Sequence, residues 1–152
     1  MTLLDRSGVE AAIPHRPPFL FLDRVIDGGE DHLLGEWDVP TDAVWFQGHF
    51  PGQPVLPGVL ISEHAFQVAA ILISRALGGF AEDDGVPILT RIESAKFRKM
   101  VQPGDTLTTR VDVVERVGPA WRMKATVKHE GAKVAQLAYV LTASGALARL
   151  GV

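Results

Sequence analysis

No cysteine occurs among the 152 residues. That excludes a disulfide scaffold, a thiolate zinc site, an iron–sulfur cluster and a cysteine nucleophile. It also suits a reducing compartment, so a cytoplasmic protein is expected. Basic charge is scarce too. Fifteen Lys and Arg stand against 18 Asp and Glu, a formal net charge of −3, whereas a dedicated nucleic-acid binder carries a basic excess. Glycine-rich phosphate loops are missing, which speaks against nucleotide binding. His15, His32 and His129 show no metal spacing, and there is no His-Glu-x-x-His. Met1 to Val9 lacks a basic patch followed by an apolar run, so no signal peptide is expected. One long apolar stretch occurs, Val59 to Leu77, and Glu63, His64, Gln67 and Arg75 interrupt it. Ionisable groups are costly at bilayer depth, so this reads as a buried helix of a soluble protein and not as a membrane span.

What is present is enough apolar mass for a core. The chain is 47% hydrophobic and 22% charged, outside the range of disordered chains. Its length fits one domain, taken as 1–152, without repeats or Ser/Gly linkers. Ser7 to Ile13 reads as a short helix stopped by Pro14, Phe19 to Ile26 as a strand ending at Asp27-Gly28-Gly29, and His32 to Val39 as its hairpin partner. Val44 to Pro57 carries too many prolines and glycines for regular structure. A helix is predicted from Gly58 to about Leu77, closed by Gly78-Gly79. Its apolar positions run nearly all the way round, so it should be buried on all sides. A narrow polar line of Glu63, Gln67 and Ser74 interrupts them. The period then changes to two. Strands are expected over Val86 to Phe97, Leu107 to Val113, Trp121 to Lys128 and around Leu137 to Leu141, with turns at Pro103-Gly104-Asp105, Gly118-Pro119 and Glu130-Gly131. This is an α+β pattern: an antiparallel meander wrapped around one long helix.

Two side chains suggest chemistry. His49 sits in a loop that Gly48 and Pro51 make rigid. It is either a turn or core histidine, or a base held in place. Glu63 lies one turn into an apolar helix. It is either half of a salt bridge or an acid whose burial favours the protonated form. Together they offer a base and an acid for proton transfer. Pro57-Gly58-Val59 adds free backbone N–H groups at a positive helix end, with no Gly58 side chain to block access. Such donors can polarise a carbonyl oxygen and stabilise an enolate. These parts suffice to remove a proton next to a carbonyl and expel a β-hydroxyl.

The stretch Phe46-Gln47-Gly48-His49-Phe50-Pro51-Gly52-Gln53-Pro54-Val55-Leu56-Pro57-Gly58-Val59-Leu60-Ile61-Ser62-Glu63 resembles the signature of the β-hydroxyacyl-(acyl-carrier-protein) dehydratases of the FabZ type. Ile13-Pro14-His15-Arg16-Pro17-Pro18-Phe19-Leu20-Phe21-Leu22-Asp23-Arg24-Val25 is similar to the family's N-terminal segment. Ala95-Lys96-Phe97-Arg98 and Val101-Gln102-Pro103-Gly104-Asp105 are similar to its segment after the helix. The resemblance covers essentially the whole chain. It implies the hot-dog fold, a curved antiparallel sheet around a long central helix. It implies a homodimer in which His49 of one subunit faces Glu63 of the other across a shared tunnel, with trimers of dimers common. By the same resemblance His49 takes the α-proton of a (3R)-hydroxyacyl thioester, Glu63 helps the β-hydroxyl leave, the Gly58 N–H, beside Val59, holds the thioester carbonyl, and Gln67 orients the acid. The product is a trans-2-enoyl thioester, and neither a metal nor an organic cofactor is needed. Glutamate at position 63 favours the plain dehydratase over the related dehydratase-isomerase, which carries aspartate there.

Pro18, His64 and Phe66 depart from the family pattern and leave acyl-chain length open. His64 lies about 100° round the helix from Glu63 and reads as an interface or core residue. Phe66 either narrows a tunnel or packs in the core, and His15 with Arg16 reads as structural support for the site. Lys96, Arg98 and Lys99, with Arg91, form a basic cluster in an acidic protein. It is either a solvated strand edge or a docking patch for an acyl carrier protein bearing a phosphopantetheine-linked acyl chain. Two other functions share the fold: a hot-dog acyl thioesterase, and a non-catalytic acyl-binding subunit. The His49 loop speaks against the first, because hydrolysis needs no base at the α-carbon. The presence of both His49 and Glu63 speaks against the second.

Overall fold

The computed structural model describes residues 2–80 and 85–149. Helix α1, Arg6–Ala12, starts where Asp5 accepts the Gly8 N–H at 2.9 Å. It ends as Ile13 turns extended ahead of Pro14, because a residue before proline avoids helical angles. Strands β1, Arg24–Gly28, and β2, His32–Asp38, form a hairpin. After a 3₁₀ turn at Val44–Gln47 and the proline-rich loop comes helix α2, Gly58–Leu77. Gly78 then takes a φ of 72°, and its N–H and that of Gly79 bond the Arg75 and Ser74 carbonyls. A left-handed glycine after the last turn is how such helices stop.

Strands β3 to β6 follow as Pro87–Phe97, Thr106–Val117, Ala120–His129 and Ala132–Ala143, and helix α3, Ser144–Arg149, comes last. One antiparallel sheet runs in the order β1-β2-β4-β5-β6-β3. The chain therefore leaves β2 near one edge, crosses the sheet as α2, and returns at the opposite edge as β3. The long helix lies across one sheet face, which is the hot-dog arrangement.

The period-two expectation holds where the sheet meets the helix. Leu107, Thr109 and Val111 on β4, Trp121, Met123, Ala125 and Val127 on β5, and Leu137, Tyr139 and Leu141 on β6 are all buried. Gly35 on β2 lets the layers touch. A Cβ there would stand 2.7 Å from Val68 Cγ2 and 3.0 Å from Leu22 Cδ1.

Two expectations need correcting. The first strand begins at Arg24, not Phe19. The backbone of Phe19 and Phe21 bonds side chains of α2 instead of a neighbouring strand. The helix is not buried on all sides: Ile61 to Ser74 are buried apart from Glu63, but Val59 and Leu77 are exposed. The sheet covers the middle of α2 and leaves its first and last turns beyond it. Helix α3 is an addition to the expected elements. It is anchored by Ser144, whose N–H bonds the Val86 carbonyl and whose hydroxyl accepts the Val86 N–H.

Replacing Gly35 with alanine should destabilise the protein by about 1–3 kcal/mol, the usual cost of overpacking a tight contact. Urea denaturation of the variant checks this. An unchanged midpoint would mean that α2 has slack against β2.

Candidate active site

The loop carrying His49 is built by its own turn chemistry. Phe50 and Gln53 exchange backbone hydrogen bonds at 3.1 and 2.9 Å, with Pro51 and Gly52 between them and a φ of 75° at Gly52. Proline first and a positive-φ glycine second is what a type II turn requires. The turn sends the chain back along itself, so Val55 lies beside His49. The Val55 N–H donates to the His49 carbonyl at 2.9 Å, and the His49 N–H donates to Trp45 at 3.0 Å. The ring is held as well. His49 Nδ1 lies 2.8 Å from the Val55 carbonyl oxygen. A carbonyl can only accept, so Nδ1 carries the hydrogen and Nε2 of the neutral ring keeps a free lone pair. Phe50 stacks on the ring at 4.2 Å. The loop is clamped below by the Leu56 N–H on the buried Val101 carbonyl at 2.7 Å.

Helix α2 begins directly after this loop. The N–H groups of Leu60 and Ile61 both bond the Pro57 carbonyl. Those of Gly58 and Val59 have no partner among the described residues, and no side chain caps the helix. Two donors are therefore free at the positive end. The ring of Phe97 lies 3.2 Å from where a Gly58 Cβ would stand, so any larger residue would press against it.

Glu63 is one turn further on, with 22% of its side chain exposed. Burial raises its carboxyl pKa, and a hydrogen bond from Gln67 works against that. Gln67 Nε2 donates to Glu63 Oε1 and to the Phe19 carbonyl, each at 3.2 Å. Its own oxygen accepts the Phe21 N–H at 2.8 Å. The amide orientation is thus settled: Gln67 shows Glu63 a donor, never an acceptor. His15 Nε2 faces the same Oε1 at 3.9 Å.

The structure joins Glu63 to Gln67 and leaves His49 apart. Within one chain, neither a hydrogen bond nor an ion pair links His49 to Glu63 among the described residues. His64 is a core residue and no interface residue: it is fully buried in a single chain. Its Nδ1 donates to the Phe21 carbonyl at 2.6 Å, and its Nε2 accepts from the Thr109 hydroxyl at 2.9 Å. Phe66 packs edge-on against Tyr139 at 4.6 Å. Lys96, Arg98 and Lys99 are exposed at the end of β3, with Arg98 turned back to Gln136 Oε1 at 3.0 Å. Among the described residues, no three His, Asp or Glu side chains cluster closely enough to hold a metal ion. From the sequence His15 reads only as structural support near the site. Its approach to Glu63 carried no signal in the sequence, because the two are 48 residues apart and only the fold joins them.

A sheet folded over one long helix, with an oriented imidazole ahead of that helix and a half-buried carboxyl one turn inside it, defines a hot-dog protein. Comparison with known proteins narrows this. A family model described as a FabA-like domain matches residues 13–138. The chain belongs to that family, among its FabZ-type members. A relative from an Anaeromyxobacter species, named 3-hydroxyacyl-[acyl-carrier-protein] dehydratase FabZ, is 41% identical over 136 residues, 88% of this chain and 86% of that one. A relative of the same name from Granulibacter bethesdensis is 42% identical over 140 residues, 91% and 81% of the two chains. Among solved structures, the dehydratase heterocomplex ApeI:P from Xenorhabdus doucetiae superimposes with a TM-score of 0.76 at 13% identity, covering 93% of this chain and 96% of that one. A hypothetical thioesterase from Streptococcus pneumoniae, solved with coenzyme A, gives 0.58 at 11% identity over 78% and 82%. At those identities the two structures share the fold.

His64 yields a pH prediction. Burial lowers its pKa from 6.5 to about 4. The unfolded chain therefore takes up a proton below about pH 6.5 that the folded chain refuses. Stability from this residue is complete above that pH and drains away as pH falls toward 4, by about 3 kcal/mol at about 1.4 kcal/mol per unit. Urea midpoints measured from pH 7 to pH 4 should fall more steeply for wild type than for His64→Gln. Parallel curves would contradict the assignment.

Proposed function

We propose that the protein dehydrates (3R)-3-hydroxyacyl thioesters carried on acyl carrier protein to trans-2-enoyl thioesters, in fatty acid or related acyl-chain biosynthesis. The observation that carries this reading is the oriented base. His49 gives its Nδ1 hydrogen to Val55 and keeps Nε2 for a proton, in a chain about 40% identical to proteins named for this reaction. In the proposed step His49 Nε2 takes the α-proton. The electrons left behind form the Cα=Cβ bond, the Cβ–O bond breaks, and Glu63 protonates the departing hydroxyl, which leaves as water. The free N–H groups of Gly58 and Val59 stabilise the enolate-like thioester oxygen. Gln67 keeps the acid in place. The raised carboxyl pKa of Glu63 supports its role as the proton donor.

The active unit in this reading is a homodimer, with His49 of one subunit facing Glu63 of the other. The absence of a His49–Glu63 link within the described chain supports it. So does the edge strand β3, where Ile88, Leu89, Ile92 and Phe97 are all exposed. A second copy would cover them and pair the open edge. The family resemblance leaves two assemblies open, the dimer alone and a trimer of dimers. Lys96, Arg98 and Lys99, exposed near Phe97, are the proposed docking patch for the acidic carrier protein. The whole chain, 1–152, acts as one domain in the cytoplasm. In favour of a soluble site of action, the one helix among the described residues that is long and apolar enough to cross a membrane is mostly buried.

Enoyl absorbance should appear when wild type is given 3-hydroxyacyl thioesters, and should fall on the order of 10²-fold or more in His49→Ala and in Glu63→Gln. Hydrolysis of the thioester without enoyl formation would replace the dehydratase with a thioesterase, and inertness on both would leave an acyl-binding subunit. Co-expressing the two inactive variants tests the dimer. Mixed dimers contain one site with both lesions and one intact site, so part of the wild-type rate should return. A mixture as inactive as its parents would place both residues in one subunit.

A further inference from the structure

One half-buried titratable group next to Glu63 has no part in the reaction described above. His15 stands in the loop between α1 and β1. A single guanidinium fixes that loop: Arg16 donates to the carbonyls of Glu10 at 2.8 Å, Ile13 at 2.9 Å and His15 itself at 2.6 Å. The backbone carrying the imidazole is therefore held from three sides. The ring lies with Nε2 3.9 Å from Glu63 Oε1, and Nδ1 is buried without a hydrogen-bond partner.

The unpartnered Nδ1 decides the tautomer. A buried N–H with no acceptor is rarer and less tolerable than a buried lone pair with no donor. The hydrogen of the neutral ring therefore sits on Nε2, facing Glu63. Gln67 presents a second donor to the same Oε1, and its oxygen is already committed to the Phe21 N–H. Gln67 thus donates to Oε1, and the His15 Nε2–H faces the same atom without a hydrogen bond in this structure.

We propose that His15 is a positioning residue, whose Nε2–H joins the Gln67 amide in holding Glu63 Oε1 as an acceptor, so that the transferable proton is carried on Oε2. The proposal rests on the dehydratase reading above, in which Glu63 is the acid. A separation of 3.9 Å is longer than a hydrogen bond, and hydrogen bonds at catalytic groups are often long in the free protein and tighten in the substrate complex. Burial favours the neutral form of both partners. It lowers the His15 pKa, with the charge of Arg16 adding to the effect, and raises that of Glu63. Two neutral groups meet here as donor and acceptor, not as an ion pair. The other charged or titratable groups nearby face elsewhere. Arg16 turns to Glu10, with Nε 3.5 Å from Oε1, and His64 on the same helix is engaged by Phe21 and Thr109.

The test compares wild type with His15→Leu, which removes the donor, and His15→Gln, whose amide can restore one near the same place. Two readouts are taken: kcat and KM against pH on a 3-hydroxyacyl thioester, and the carboxyl titration of Glu63 followed by ¹³C NMR, assigned with Glu63→Gln. In His15→Leu, kcat should drop about 10-fold, the scale of one lost hydrogen bond, with KM little changed. Glu63 should titrate higher than in wild type, because a donor favouring its carboxylate form is gone. The alkaline limb of the kcat/KM profile should move up with it. His15→Gln should recover most of the rate and return the titration toward wild type. Equal impairment of both variants, or one Glu63 titration curve common to all three proteins, would overturn the proposal. An inactive wild type would overturn the dehydratase reading instead, and the NMR titration would still report whether His15 acts on Glu63.

Discussion

Two side chains of one helix hold a strand-like segment by its backbone, and much of the site depends on that grip. Gln67 accepts the Phe21 N–H and donates to the Phe19 carbonyl, while His64 donates to the Phe21 carbonyl. The two bonds to Phe21 are buried, where an unmade one costs about 1–3 kcal/mol, and the bond to Phe19 is partly buried. Rotating α2 would break all three together. The rotation of the helix, the path of residues 19–21 and the direction of the Glu63 carboxyl are therefore set as one unit. The grip also explains polar residues in a helix that is otherwise apolar. They are satisfied core groups first, and Gln67 spends its remaining N–H on Glu63.

The histidines show how burial and partners divide labour among residues of one type. His64 has acceptor and donor on its two ring nitrogens, is fully buried, and is held neutral well below pH 6.5. His49 has a partner on Nδ1 and leaves Nε2 open. His15 is the reverse, with a buried, unpartnered Nδ1 and Nε2 turned to a carboxyl oxygen. A base requires the second arrangement, because its lone pair must point at substrate. The backbone around each ring enforces the difference: the Pro51-Gly52 turn for His49, the Arg16 guanidinium for His15, the Phe21 segment for His64.

Much of this was legible in the amino-acid order. The helix bounds at Gly58 and Leu77 agree with the structure because proline, glycine and the change in period all mark them. The β4–β5–β6 meander agrees because apolar and polar residues alternate there. Phe19 to Asp23 misled, since an apolar aromatic run looks alike whether its backbone bonds a strand or a set of helix side chains. The apolar composition of α2 likewise overstates its burial. Hydrophobicity tells what can be covered, while the reach of the sheet tells what is, and Val59 and Leu77 lie beyond it.

Local sequence by itself determined the parts: the rigid turn that carries His49, the uncapped glycine start of α2, a carboxyl one turn inside it, and the order of strands and turns. These follow from backbone preference and period, which act over a few residues. Only the tertiary structure decided how the parts face one another. It placed Gln67 between Glu63 and the Phe19–Phe21 backbone, sent His64 into the core, brought His15 to Glu63 across 48 positions, and left β3 as an open apolar edge. Those outcomes depend on hydrogen bonds and packing between distant segments. They exist only when the whole sheet has closed over the helix.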